Sequence, residues 1–112
     1  MELTAEKIGD VAVVKLPITR MDASNADEFK RNIVPLIKTA SKMVFDLSQL
    51  NFVDSSALGA ILTCLRRLKE AGGDLKICGL SKSVRIIFEL VRFHKIMDIY
   101  GTQEEAVNAF QR

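Results

Sequence analysis

Residues Lys42–Ala71 read KMVFDLSQLNFVDSSALGAILTCLRRLKEA, and this stretch decides the fold. Met43-Val44-Phe45 is a short apolar run that closes on Asp46-Leu47-Ser48. A run of that kind, followed at once by polar residues, predicts a strand inside a sheet covered by helices. After Phe52-Val53 come Asp54, Ser55 and Ser56, then an amphipathic run from Ala57 to Ala71, closed by Gly72-Gly73. Leu58, Ile61, Leu62, Leu65 and Leu68 recur at helical spacing and share one face, with Arg66, Arg67, Lys69 and Glu70 mostly on the others. Glycine takes the left-handed conformation at little steric cost, so Gly72-Gly73 predicts the helix stop. At the other end, one carboxylate and two hydroxyls stand where the first turn has free N–H groups to satisfy. Those N–H groups and the helix dipole favour negative charge. A phosphate on Ser55 is therefore compatible with the fold, and would add roughly −1.5 to −2 charge beside Asp54. Taken alone, Asp54-Ser55-Ser56 is a helix cap and nothing more.

The totals bound the rest. At 112 residues the chain predicts one domain, residues 1–112. With 48% hydrophobic residues it can bury an ordinary core without disulfides. A net charge of +2 argues neither for nor against nucleic acid. No apolar run approaches the ~20 residues of a membrane span, and no charged-then-apolar leader opens the chain. Cys64 and Cys78 fall in a predicted helix and a predicted strand, and read as small buried hydrophobes of a reducing compartment. With one histidine beside them they make no plausible zinc site. The expected location is the cytoplasm.

Upstream, Glu2–Lys7 and Val11–Leu16 predict two strands about a turn at Gly9-Asp10, the second nearly all apolar and interior. Ile18–Asn25 reads as a loop carrying Arg20 and Asp22. Asn25 and Glu28 form a candidate capping box for a helix starting near Ala26, whose apolar face is Phe29, Ile33, Leu36, Ile37 and Ala40. Pro35 removes a donor and crowds the Arg31 carbonyl, so a kink or break is expected near Val34. Downstream, Asp74–Cys78 is a strand and Gly79 a turn. Ser81 or Ser83 caps a helix to about Val91, with Val84, Ile87, Phe88 and Val91 buried and Ile86 and Leu90 broadening that side. Phe93-His94-Lys95 is a connector, Ile96–Tyr100 a final strand, and Thr102 with Glu105 a second capping box. The last helix, Glu104–Phe110, buries Ala106, Val107 and Phe110, and Gln111-Arg112 is expected to fray. The pattern predicts an α/β domain with a mixed sheet of about five strands and four helices.

Enzymatic signatures are missing. A nucleophilic serine needs a base within reach, and the only histidine, His94, sits in a connector. The glycines form no G-x-S-x-G, G-x-G-x-x-G or Walker pattern. Asp46 reads as a residue that tidies a strand end rather than half of a carboxylate pair. Lys82, Arg85, Arg92 and Lys95 read as a solvated helix face, since acids are interleaved and exposed aromatics few. No catalytic residue, metal or cofactor is expected.

Val44-Phe45-Asp46-Leu47-Ser48 followed by Phe52-Val53-Asp54-Ser55-Ser56-Ala57-Leu58-Gly59 resembles the signature of the STAS family, whose bacterial members include anti-sigma factor antagonists. Met21-Asp22-Ala23-Ser24-Asn25-Ala26 resembles that family's L-D-x-x-x-A loop. The segments Val84, Phe88-Glu89-Leu90, Ile99-Tyr100 and Glu104-Glu105-Ala106 resemble its closing third. The resemblance implies a single STAS-like domain in which Ser55, directly after the motif aspartate, accepts phosphate. It also implies a partner-binding face that includes Asp22, Asp54, Ser55 and Ser56. The implied partner is an anti-sigma factor with serine kinase activity, opposed by a phosphatase, so that the chain frees a sigma factor when unphosphorylated. Asp22 also reads as a plain local turn former. Two positions depart from the pattern: a glycine of the loop is Thr19 here, and the glycine after D-S-S is Ala57, which places a methyl group where a kinase loop is expected to approach. The alternatives are a STAS scaffold subunit of a signalling or transporter complex, docking through the same face without phosphorylation, and a small-ligand binder at the carboxyl ends of the strands.

Overall fold

The computed structural model describes residues 1–111. The hairpin forms as β1 (Glu6–Ile8) and β2 (Val11–Lys15), antiparallel about Gly9-Asp10. β1 starts later than the sequence suggests, at Glu6. β4 (Lys42–Asp46), β6 (Asp74–Cys78) and β7 (Asp98–Tyr100) then add in parallel, giving one five-stranded mixed sheet in the order β1-β2-β4-β6-β7. Each parallel step is a strand-helix-strand crossover, through α1 (Ala26–Ile37), α2 (Ser55–Glu70) and α3 (Lys82–Leu90) in turn. α4 (Gln103–Phe110) closes the chain. The five strands and four helices match the sequence expectation.

The alternation of side chains along the strands divides the core in two. Ala12, Val14, Met43, Phe45, Leu75 and Ile77 face α1, α2 and α3, where Phe29 meets Phe45 edge to face at 5.9 Å. Val11, Val13, Val44 and Cys78 face the other way, against Ala106 and Val107 of α4. Both cysteines are buried and free, and burial pushes each thiol up to about 12. Gly72 takes φ 82° at the end of α2, and Gly73 runs so close to the Ser41 carbonyl that a Cβ would lie 1.7 Å from its oxygen. Those two glycines let α2 turn directly into β6.

Several expectations are corrected. α1 does not break at Pro35: the exposed proline forfeits only its own N–H bond, the Lys38 N–H still reaches the Val34 carbonyl at 3.1 Å, and buried Ile37 holds the helix to its end. The Asn25–Glu28 capping box does not form. Asn25 turns back to accept from the Asp22 N–H at 2.9 Å and to donate to the Arg20 carbonyl, while Glu28 pairs with the Met1 ammonium. Thr102 and Glu105 do form their box. Within the predicted loop Ile18–Asn25 and the link after Asn51 lie β3 (Arg20–Met21) and β5 (Phe52–Val53), paired in parallel as a small second sheet. On α2 the fully buried positions are Ala57, Ala60, Ile61, Cys64, Leu65 and Leu68, with Leu58 and Leu62 only half-buried, because the helix packs close on its small residues. On α3, Val84 and Phe88 are buried as expected, but Val91 is exposed and Ile87 only half-buried, and Ile86 and Leu90 are exposed instead of widening the core side. Phe110 is half-buried, and the fraying expected of Arg112 lies outside the described residues.

Candidate functional site

The small β3–β5 sheet brings two segments together. Arg20 pairs with Phe52 and Met21 with Val53, and the Asp54 N–H reaches the Met21 carbonyl at 3.4 Å. The loop after β3 therefore lies beside the entrance of α2. Asp54 joins them. It is the N-cap of α2 in extended conformation, and its Oδ1 accepts from the Ala57 N–H at 3.1 Å. Its Oδ2 accepts from the Ala23 N–H at 3.0 Å, 31 residues away in sequence. One carboxylate thus starts the helix and holds the neighbouring loop.

Ser55 and Ser56 occupy the first two positions of α2, both exposed. The Ala57 and Leu58 N–H groups are taken by the side chain and carbonyl of Asp54, which leaves those of Ser55 and Ser56 for solvent or an anion. Ala57 itself is fully buried. Its methyl group points into the core and does not stand in the way of a partner, contrary to the expectation from sequence.

Asp22 shapes its own loop. Its Oδ1 accepts from the Ser24 N–H at 2.9 Å and from the Ser24 hydroxyl, and its Oδ2 from Arg20 Nε at 3.1 Å. Its carbonyl accepts from the Asn25 and Ala26 N–H groups, opening α1. The Ser24 donors, then Arg20, hold the Asp22 carboxyl below its ordinary value. Asp22 is therefore a turn former, and its loop rims the α2 entrance. The Arg20 guanidinium lies 4.7 Å over the Phe52 ring, itself 42% exposed. The sequence reading did not mark Phe52 as a surface residue. The signal was there in the pair Phe52-Val53, since neighbours in a strand face opposite ways.

A groove of about 580 Å³ opens beside the two serines and runs between α1 and α2, past Ala23, Lys30, Gly59 and Arg66. Asp46, the other motif aspartate, plays no part here. It is buried at the end of β4, where it accepts from the Ser48 N–H and from the Gln103 amide. Among the described residues no group of three or more His, Cys, Asp or Glu could hold a metal ion, and no helix is long and apolar enough to cross a membrane.

The STAS domain model matches residues 2–106, nearly the whole chain. The chain belongs to the STAS domain family. Among curated relatives, BtrV of Bordetella bronchiseptica, named as an anti-sigma factor antagonist, is 28% identical over 112 residues, 99% of this chain and 96% of its own length. The anti-sigma-B factor antagonist of Bacillus subtilis is 26% identical over 87 residues, 78% of this chain and 80% of its own. Among solved structures, the Bacillus cell fate determinant SpoIIAA in its phosphorylated form superposes with a TM-score of 0.71 at 22% identity, covering 96% of this chain and 98% of that one.

Proposed function

We propose that this STAS domain is an anti-sigma factor antagonist switched by a phosphate on Ser55. The observation that carries the reading is the α2 entrance: Ser55 is exposed at the first helical position, beside two uncommitted N–H groups and a loop held in place by Asp54. The names of the curated relatives support the role, and a phosphorylated relative of the same fold supports the chemistry.

The partner is an anti-sigma factor that is also a serine kinase. Unphosphorylated, the antagonist docks through the Asp22 loop, Asp54, Ser55 and Ser56, and a sigma factor is released in the cytoplasm. The kinase then breaks the bond between the γ-phosphorus of ATP and its bridging oxygen, releasing ADP, and forms a bond from that phosphorus to Ser55 Oγ. The hydroxyl proton passes to the kinase. The domain is the substrate of this chemistry and supplies no catalytic group. The new dianion is tolerated by the helix tip but not by a desolvated interface, where it meets like charge and costs hydration. A tenfold loss of affinity takes only ~1.4 kcal/mol, well within the reach of one phosphate. A phosphatase resets the switch.

The test is mass spectrometry after incubation with the cognate kinase and ATP, together with binding by titration calorimetry. Phosphate is expected on Ser55. Ser55→Ala is expected to bind and resist modification, and Ser55→Asp to bind weakly. Modification only at other positions would overturn the switch, and equal binding by all three forms would favour the phosphate-independent scaffold.

A further inference from the structure

α3 buries Val84 and Phe88, and turns a second apolar row outward. Ile86 and Leu90, one turn apart, are 55% and 80% exposed, and Val91 at the end of α3 and Ile96 at the end of the 3-10 turn Phe93–Lys95 are 44% and 48% exposed. Single exposed apolar residues are ordinary, but a row of them marks a surface of contact. The charge around it is one-sided. Lys82, Arg85, Arg92 and Lys95 are all exposed, and none pairs with a carboxylate among the described residues. Glu89 is the only acid among them, so this segment carries an excess of three positive charges while the whole chain carries +2; the remainder is slightly acidic. A separate observation falls in the same place. Arg92 has φ 65°, the one non-glycine positive φ among the described residues, at a helix-ending position that glycine usually fills. The chain holds a cation there against backbone preference.

We propose that α3 and the 3-10 turn form a docking shelf for an acidic amphipathic helix of a partner protein. Ile86 and Leu90 meet its apolar positions, and Lys82, Arg85, Arg92 and Lys95 meet its carboxylates. Other occupants fit less well. A membrane-surface helix needs a wide apolar sector, and here the core has taken Val84 and Phe88, leaving a narrow row. A nucleic-acid backbone gains nothing from a leucine at the centre of the contact. A second copy of this face brings the same positive charge and is repelled. The shelf does not use Ser55. The Ser81 and Ser83 hydroxyls tie the start of α3 to the carbonyls of Leu50 and Asn51, ahead of that serine, so the shelf and the switch sit on one frame.

The experiment titrates the full chain into a fluorescein-labelled helical peptide with leucine at positions i, i+3, i+4 and i+7 and glutamate between them. Saturable binding that weakens with added salt is expected, with Leu90→Glu and Arg85→Glu each losing about tenfold or more in affinity. Both side chains are exposed, so the variants are expected to melt like the parent by circular dichroism. Ser55→Asp is expected to bind the peptide unchanged while losing the kinase, so a failure of the shelf and a failure of the switch read out separately. The proposal is overturned if the parent does not bind the glutamate peptide, if a lysine version binds equally, or if folded Leu90→Glu binds as the parent does. It is also overturned if phosphatidylglycerol vesicles or duplex DNA capture the chain in a Leu90-dependent way and the glutamate peptide does not.

Discussion

Asp54 is the residue on which the site turns, because its two oxygens serve two segments of chain. Asp54→Ala releases the cap on Ala57 and the tether on Ala23 together. The expected loss is about 1–2 kcal/mol, the upper range for a helix cap, measured by urea unfolding. Loosening of the Ala23 loop is expected to slow phosphorylation of Ser55 as well, a readout that loss of stability alone would not move in a chain still folded at the assay temperature. The capping half of this role was legible in the sequence, since an aspartate before an apolar helix is the preferred cap. The tether was not, because a backbone N–H carries no residue type, and nothing local to Asp54 points to a partner so far along the chain. Ala57 was misread for a related reason: the motif aligns it with a surface position, while the turn of the helix carries its methyl inward.

At the scale of the elements, the two-residue strands escaped the sequence and the longer elements did not. α2 follows from helical spacing kept up over its 16 residues. β3 and β5 have two residues each, too few to show a period, and they exist because each supplies the other's hydrogen bonds. α3 shows the opposite failure. Its pattern holds more apolar residues than one face can bury, and periodicity could not say which of them the core would leave outside. The helix ends in a strained residue, and that gives a test. Arg92→Gly relieves the left-handed strain and is expected to raise stability by about 0.5–1 kcal/mol in denaturant unfolding, net of the entropy glycine adds to the unfolded chain. If the position serves docking, the same change weakens binding of the acidic peptide while strengthening the fold.

For the molecule as a whole, the bond from Gln103 to Asp46 ties α4 to the end of the central strand. Burial pushes the Asp46 carboxyl up, but the Gln103 amide and the Ser48 N–H and hydroxyl outweigh it, and the net displacement is downward from 3.8. A carboxylate held low in the folded state stabilises it above the ordinary value, and that stabilisation is lost as pH falls through the folded value. The thermal midpoint is therefore expected to drop as pH is taken below 3.8, and Asp46→Asn to show a shallower drop in the same series. The fall is shared, since Asp10, Asp22 and Glu28 are displaced the same way.

The division of the core has a practical edge. Three helices shield one side of the sheet, and α4 alone shields the other. A polypeptide truncated at Gly101 would present Val11, Val13 and Val44 bare to its neighbours, and overexpression is expected to send it to inclusion bodies. A reporter or purification handle placed after Phe110 keeps that shield, and a cut made just ahead of Thr102 by a contaminating protease would turn a well-behaved sample into precipitate.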